Sequence, residues 1–276
     1  MLHEILQGTF DNQFQMVQEV QDNEYLLCYK DDQILLKQEG EELSIPRKKD
    51  FSPLPDTNEA IYLFALNGSH FFLLFDFPDN RENFIYKKIF DLRLLKNGEV
   101  SWMGVLGYQL MNWYISNQYC GHCGTKTVLK KDVREIVCPS CGKVVYPNVS
   151  PAVIVAITSG NKLLMAQNAK FRGKFYSVIA GYVEVGESLE QTVIREVKEE
   201  TGITIRNLRY YKSQPWPYSA SLMVAYFAEA DDTQELIPDP EEIAELGWYE
   251  RGNLPPHPGD YSIAGEMIEL FEEGMI

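Results

Sequence analysis

The segment from Gly181 to Ile203 constrains the fold of this 276-residue chain more than any other stretch. It reads GYVEVGESLEQTVIREVKEETGI and gathers Glu196, Glu199 and Glu200 at the end of one predicted helix. Glu196 and Glu200 share a helical face, where like charges repel, and negative charge near a helix C-terminus opposes the helix dipole. A sequence that accepts both costs implies a compensating cation. Hard divalent cations prefer carboxylate oxygens, so the segment predicts a metal site that serves phosphate chemistry.

The same segment carries its own helix boundaries. Ser188 and Gln191 are spaced as in a capping box, and Gly202 stands where a glycine ends a helix. An apolar stripe on this helix is expected to pack on a sheet: Leu189, Val193 and Val197. Strands are predicted over residues 152–157, 176–179 and 222–227, and a terminal helix over 263–273.

Four of the five cysteines form two C-x-x-C pairs, Cys120 with Cys123 and Cys138 with Cys141. Two such pairs at this separation predict a tetrahedral Zn²⁺ site made of four thiolates. A site closed in this way has no open position for substrate, so we interpret it as structural. Redox dithiols or disulfides are the alternative. The remaining cysteine, Cys28, is expected to be a small buried hydrophobic residue.

The chain before the cysteine pairs has the pattern of a β-rich domain. Apolar runs over 25–29, 34–37, 60–66 and 71–75 predict strands, and Asn67-Gly68 between the last two predicts a hairpin. An amphipathic helix is predicted over 102–115. These patterns divide the chain into three parts: a β-rich N-terminal domain ending in a connecting helix (1–118), a ribbon (119–146) and a C-terminal domain (147–276).

Charge and hydropathy exclude some classes of protein. The formal net charge is −15, and no Lys/Arg run is present of the kind that follows a phosphate backbone, which argues against a dedicated duplex-binding protein. The N-terminus lacks the basic and apolar regions of a signal peptide, and the apolar runs are too short to span a bilayer. We expect a cytoplasmic protein that does not bind membranes.

The central segment fills every fixed position of the pattern G-x5-E-x7-R-E-U-x-E-E-x-G-U, in which U is apolar. Gly181, Glu187, Arg195 and Gly202 are all in register with the three clustered glutamates. The chain therefore resembles the Nudix hydrolases, and a merely solvated acidic helix is rejected because of this register. The resemblance implies an α+β fold in which helices sandwich a mixed sheet (α-β-α). It also implies Mg²⁺ or Mn²⁺ held by Glu196, Glu199 and Glu200, with Glu199 preferred as general base.

A second motif, Ser213 to Ser221, is similar to the S-Q-P-W-P-F-P-x-S array of the NAD(H) pyrophosphatase subgroup of this family. Tyr218 replaces Phe and Ser219 replaces Pro, and the second change loosens the backbone. We expect a proline-stiffened loop in which Trp216 stacks on a base. The resemblance implies that the following residues bind substrate: Gln214, Pro215, Trp216, Pro217, Tyr218, Ser219, Ala220 and Ser221. For Trp216, an ordinary core position is the alternative.

The resemblance extends over the whole chain, because the subgroup has a β-rich N-terminal domain, a zinc ribbon with four cysteine ligands and a Nudix domain in this order. Outside the two motifs it implies substrate contacts from Tyr146, Tyr182 and Ala264, the last through its backbone. For Tyr182 a core position is the alternative. It also implies metal ligation by the Ala180 carbonyl and by Glu242. Its neighbour Glu241 is the alternative if the register differs by one residue.

Taken together, these patterns predict an NAD(H) diphosphatase that cleaves NADH or NAD⁺ to nicotinamide mononucleotide and AMP. The resemblance further implies removal of NAD caps from RNA 5′ ends, and a homodimer whose sites use residues from both chains. Three alternatives stay open at this point. They are a Nudix hydrolase of another nucleoside diphosphate derivative such as ADP-ribose or a dinucleoside polyphosphate, a nucleotide-sensing regulatory module, and a structural zinc protein.

Overall fold

The computed structural model describes residues 1–4, 8–15, 19–77, 83–95, 97–170 and 175–276. The chain divides into two units, each with its own core. Unit 1 comprises Met1–His3, Val149–Trp216 and Ala220–Ile276. Unit 2 comprises Glu4–Asn148 and Pro217–Ser219.

Unit 2 begins with two small sheets built from short strands. In chain order these are β1 (Phe10–Asp11), β2 (Tyr25–Leu27), β3 (Tyr29–Lys30), β4 (Gln33–Glu39), β5 (Glu42–Ser44), β6 (Ile61–Leu66), β7 (Ser69–Leu73) and β8 (Phe84–Lys88). One sheet has the order β1-β6-β7-β2, and in the other β4 pairs with β3, β5 and β8. The predicted hairpin is confirmed, since Asn67 and Gly68 both have positive φ and join β6 to β7.

Helix α1 (Gly98–Ser116) follows, and it contains the predicted helix over 102–115. It begins at Asn97, whose side chain accepts a hydrogen bond from the Val100 N–H. Two of its glycines, Gly104 and Gly107, leave no room for a Cβ beside side chains of unit 2, so the helix packs closely there. The ribbon comes next as a three-stranded antiparallel sheet: β9 (Val128–Leu129), β10 (Ile136–Val137) and β11 (Val144–Val145).

Unit 1 is one mixed sheet with helices on its two faces. Its strands are β12 (Ser150–Ser159), β13 (Lys162–Asn168), β14 (Tyr176–Ser177), β15 (Ile179–Tyr182), β16 (Arg206–Trp216), β17 (Ser221–Glu229) and β18 (Ile243–Glu250). Its helices are α2 (Leu189–Thr201) and α3 (Ile263–Glu272). The sheet order is β14-β13-β12-β17-β16, with β15 also paired to β12 and β18 to β13. The β12–β17 pair is parallel and the other pairs are antiparallel.

The central strand β12 shows why the sheet is covered on both faces. Successive side chains of a strand point to opposite faces, and every residue from Ala152 to Ile157 is buried. One alternate set packs with the buried valines of α2: Val153, Val155 and Ile157. The other packs with the buried face of α3: Ile154 and Ala156. The predicted α-β-α arrangement of the C-terminal domain is confirmed.

The segment 213–221 differs from the loop that the sequence predicted. Residues up to Trp216 continue β16, and a short 3-10 turn over Pro217–Ser219 then leads into β17. A proline is tolerated at position 215 because β16 lies at the edge of the sheet, where a missing N–H costs no interior ladder bond. Strands β13 and β18 were not predicted from the sequence either.

Candidate functional site

The glutamates of α2 are positioned by the strand and the turns on either side of the helix. Ser188 begins α2 with a complete capping box, in which the Gln191 N–H donates to Ser188 Oγ (3.2 Å) and the Ser188 N–H donates to Gln191 Oε1 (2.8 Å). Gly202 ends it in the left-handed conformation, with φ of 77°. Both predicted boundaries are confirmed. At Gly181 in β15, a Cβ would overlap with the carboxylate of Glu196, so a side chain there would displace this carboxylate.

Arg195 organises the acidic side chains around it. Its Nε and Nη2 donate to the two carboxylate oxygens of Glu187, at 2.7 and 3.0 Å. Its Nη1 donates to Glu196 Oε1 and Glu199 Oε2, both at 2.9 Å. Nη2 also donates to the Tyr182 carbonyl at 3.0 Å. The planar guanidinium thus joins β15, the turn before α2 and two turns of the helix.

Arg195 and its acidic partners shift the pKa values of one another toward the charged forms. The hydrogen bonds from Arg195 lower the pKa of Glu187 to about 2, and the Thr192 hydroxyl adds to the effect at 2.8 Å. In turn, the hydrogen bonds to Glu187, Glu199 and Glu196 raise the pKa of Arg195, and that to Glu187 contributes most. Glu187 and Arg195 are therefore both charged at neutral pH, and their ion pair holds the turn before α2 against the helix.

Glu200 has a different environment. It is only 6% exposed, and burial raises its pKa to about 8, with further contributions from Glu196, Glu242, Asp239 and Glu199. Burial also raises the pKa of Glu196. A buried carboxylate surrounded by four others needs a cation to be stable in its charged form. The carboxylate donors are all oxygen, which is what Mg²⁺ and Mn²⁺ prefer, so the chemistry of these side chains suits such an ion.

The loop after β17 brings Glu242 to this cluster. The Ile237 N–H donates to the Thr201 carbonyl at 2.9 Å, and the Asp239 N–H donates to the Glu200 carbonyl at 3.2 Å. These two bonds dock the loop on the end of α2. The Glu242 carboxylate forms an ion pair with Lys170, at 3.0 Å from Nζ, and contributes to the pKa of Glu200.

In the described part of the chain, the four ribbon cysteines are the one group of potential metal ligands whose donor atoms converge. Their sulfurs all lie within 4.8 Å of one another, with 3.6 Å between Cys120 and Cys141 and 3.5 Å between Cys123 and Cys138. Tetrahedral Zn²⁺ with bonds of about 2.3 Å needs sulfurs about 3.8 Å apart, so the set fits zinc. The His122 N–H donates to Cys120 Sγ and lowers its pKa. His122 itself is exposed.

The predicted substrate-binding residues are distributed over both units. In unit 1, Tyr182 is half exposed and its hydroxyl lies 3.1 Å from Ser221 Oγ. Trp216 and Ala220 are partly buried, Pro215 is exposed, and Ala264 lies in the first turn of α3. Unit 2 contains Tyr146, Pro217, Tyr218 and Ser219. Tyr146 is exposed, whereas the Tyr218 ring packs edge-on against Phe90 with centroids 5.9 Å apart. Ala180 is an exposed residue of β15 paired with Ile154.

Three residues that bear on the acidic cluster were not identified from the sequence. Lys170 reaches Glu242 across 72 positions of the chain, and Asp239 lies within the electrostatic field of Glu200. No sequence signal marks either of them, since both contacts depend on how the loops fold back. Thr192 was detectable in principle: it stands five residues after Glu187, three before Arg195, and bonds Glu187.

Sequence-family models match almost the whole chain in three consecutive parts. Residues 149–271 match the NUDIX domain, and residues 115–146 match the NADH pyrophosphatase zinc ribbon domain. Residues 23–113 match the NADH pyrophosphatase-like rudimentary NUDIX domain. Residues 149–271 thus belong to the Nudix family of domains, and a zinc ribbon of the NADH pyrophosphatase type precedes them.

Among curated proteins, the chain is similar to the NAD-capped RNA hydrolase NudC of Pectobacterium carotovorum, with 45% identity over 163 residues. It is 44% identical to the protein of the same name from Escherichia coli, also over 163 residues. These matches cover 59% of this chain and 62% and 63% of the relatives, so the chain spans less than two thirds of their length. Among solved structures, a Nudix hydrolase from Nitrosomonas europaea matches with 21% identity and a TM-score of 0.49, over 56% of this chain and 90% of that one.

None of the helices in the described ranges is long and apolar enough to cross a membrane.

Proposed function

We propose that this chain hydrolyses the pyrophosphate bond of NADH or NAD⁺ and releases nicotinamide mononucleotide and AMP. The observation that carries the proposal is the acidic cluster around Glu200. Within this cluster, Arg195 holds the Glu196 carboxylate in a space where a side chain at position 181 would overlap with it. A helix whose acidic residues serve only to keep its surface solvated would not bury one carboxylate among four others. The relatives named above as NAD-capped RNA hydrolases support the choice of a nicotinamide dinucleotide.

We propose Glu196, Glu199, Glu200, Glu242 and the Ala180 carbonyl as ligands of Mg²⁺ or Mn²⁺. Such an ion offsets phosphate charge and lowers the pKa of bound water. Glu242 is preferred over Glu241 because the Glu242 carboxylate acts on the pKa of Glu200. Arg195 orients Glu196 in the space that Gly181 leaves, and Lys170 forms an ion pair with Glu242.

We assign Glu199 the role of general base. It is the most exposed of the three box glutamates: 57% of its side-chain surface is accessible, compared with 13% for Glu196. Arg195 Nη1 holds one of its oxygens, Oε2, which leaves the other to take a proton from the attacking water.

We propose that the dinucleotide is bound by residues 214–221 together with Tyr146, Tyr182 and Ala264, and that Trp216 stacks on a base. NAD caps on RNA 5′ ends present the same chemical group and are proposed as a second substrate. The domain boundaries 1–118, 119–146 and 147–276, a homodimer with shared sites and a cytoplasmic location complete the proposal. Light scattering of the purified chain tests the homodimer.

Product analysis tests the proposed activity. NADH, NAD-capped RNA, ADP-ribose and diadenosine tetraphosphate are each incubated with the chain and either Mg²⁺ or Mn²⁺. We expect NADH to give nicotinamide mononucleotide and AMP, and the Glu200→Gln variant to give neither. Faster cleavage of ADP-ribose than of NADH would replace the dinucleotide with another Nudix substrate. Nucleotide binding without turnover by the unchanged chain would favour a regulatory module.

A further inference from the structure

Gln214 carries a buried side chain that is fully engaged in hydrogen bonds within unit 1. It is 1% exposed. Its Nε2 donates to the Tyr261 carbonyl at 3.0 Å, and its Oε1 accepts from the Ile263 N–H at 2.7 Å. Both partners lie 47 to 49 positions further along the chain, at the start of α3. The side-chain amide therefore joins the end of β16 to the first turn of that helix.

The first turn of α3 is held by two further devices. Ser262 caps the helix, with its Oγ accepting from the Gly265 N–H at 3.1 Å. At Gly265 a Cβ would overlap with the backbone of Gly259, so the helix start and the preceding loop touch backbone to backbone.

These contacts account for two of the first N–H groups of α3, all of which belong to buried residues. The first N–H groups of a helix have no intrahelical acceptor. Gln214 satisfies that of Ile263, and Ser262 satisfies that of Gly265. Between them, the Ala264 N–H has no protein acceptor among the residues the structure describes. It is the N–H group of this turn that lacks an acceptor, on a residue that is 8% exposed.

We infer that the side chain of Gln214 has a positioning role: because its amide is engaged with Tyr261 and Ile263, the contact of residue 214 with the dinucleotide is left to its backbone. The side chain fixes the first turn of α3, so that the Ala264 N–H donates to an acceptor atom of the substrate. This inference rests on the proposed function. The hydrogen bonds of Gln214 link the end of β16 directly to the turn that contains Ala264, although the two segments are far apart in the chain. An amide is required at position 214 because the site needs one donor and one acceptor on the same planar group.

Hydrogen exchange of the unchanged chain, without substrate, tests the positioning itself. The Ile263 amide should exchange more slowly than the Leu189 amide, which has the corresponding first position in α2 and no contact from Gln214. Equal exchange at the two amides would overturn the inference. This measurement does not depend on any variant folding.

The variant Gln214→Met tests the connection to substrate, since it keeps the length of the side chain and removes both hydrogen bonds. We expect exchange of the Ile263 amide to rise, and KM for NADH to rise about tenfold, with kcat within about twofold of the unchanged chain. The matched control is Gln234→Met, because Gln234 also bridges two backbone groups, both of Thr204, and does not reach α3. It should leave KM unchanged.

Two results would contradict the inference: an unchanged KM in Gln214→Met, or a loss of kcat at constant KM, which would indicate contact with the reacting atoms. Absence of NADH turnover by the unchanged chain is a different failure. It would remove the proposed function while the exchange measurement still reports whether Gln214 holds the turn.

Discussion

The Arg195 side chain determines how several acidic side chains are arranged around it. It donates to three carboxylates and one carbonyl, and it is the only group that contacts Glu187, Glu196 and Glu199 together among the described residues. A lysine would retain the charge, but its single ammonium group lacks the planar fork that spans these acceptors.

We therefore expect Arg195→Lys to weaken Mn²⁺ binding by about 10- to 100-fold, the range for loss of a group that orients metal ligands. Isothermal titration calorimetry measures this directly. The matched control is Arg206→Lys, because Arg206 is exposed and its ion pair with Glu229 is long, at 3.7 Å between Nε and Oε2. Mn²⁺ affinity that is the same in both variants would show that Arg195 does not orient the ligands.

The raised pKa of Glu200 predicts how the stability of the metal-free protein depends on pH. Burial and neighbouring carboxylates raise its pKa to about 8 in the folded chain, above the usual value of 4.5. Between these two values the folded state binds more protons than the unfolded state, so this group makes the protein less stable as pH rises through that window. Without divalent metal, the melting temperature of the unchanged chain should fall from pH 5 to pH 8 relative to Glu200→Gln.

Addition of Mn²⁺ should reverse this difference, because the ion displaces the proton and compensates the charge. The apparent Mn²⁺ affinity of the unchanged chain should accordingly increase with pH up to about 8. If the two chains have the same pH profile in the absence of metal, Glu200 is not the group that carries the buried charge.

At the scale of elements, the boundaries of α2 followed from local sequence. Ser188, Gln191 and Gly202 act on the backbone beside them, and each has the role that its residue type predicts. The opposite holds for β16. The prolines in 213–221 indicated a loop, but strand assignment depends on whether a position faces a partner strand, and only the sheet order shows that β16 is an edge.

Gly202 is expected to be required for a reason beyond its left-handed φ. A Cβ there would approach Ile237 Cβ at 2.8 Å, in the loop that carries Glu242. Gly160 also has positive φ, and a Cβ there meets nothing within 4 Å. Gly160→Ala should therefore cost about 1 kcal/mol in the free energy of unfolding, and Gly202→Ala about 1–3 kcal/mol more.

Urea unfolding of the two variants measures the difference. We also expect Gly202→Ala, and not Gly160→Ala, to weaken Mn²⁺ binding, because the loop that bears Glu242 must shift. Equal unfolding free energies would mean that the loop moves aside at no cost.

At the scale of the whole molecule, the ribbon is part of unit 2 and is tied to its N-terminal sheets. Arg134, between β9 and β10, donates to Asn12 Oδ1 at 3.0 Å and to the Leu63 carbonyl. Loss of zinc should therefore disturb more than the ribbon.

We expect Cys138→Ser to lose bound zinc and to lower the melting temperature, since structural Zn²⁺ contributes directly to folding free energy. Cys28→Ala, at a buried cysteine outside the cluster, is the control and should retain zinc. Metal analysis by mass spectrometry together with calorimetry distinguishes the two. A full zinc content in Cys138→Ser would exclude the four-thiolate site.

The sequence by itself determined the elements whose causes are local or whose motifs are dense. These are the α2 helix with its caps, the Asn67-Gly68 hairpin, the cysteine cluster and the order of the three family domains. Each depends on neighbouring residues or on a fixed spacing, so the physical cause is readable from the chain.

Only the tertiary structure decided which groups meet across long separations. Lys170 at Glu242, Asp239 beside Glu200 and Gln214 at the start of α3 are separated by tens of residues in the chain. The burial that raises the pKa of Glu200 is likewise a property of the packed helix and loop. Such contacts arise because the sheet order brings distant loops to one place, and a linear pattern carries no record of that order.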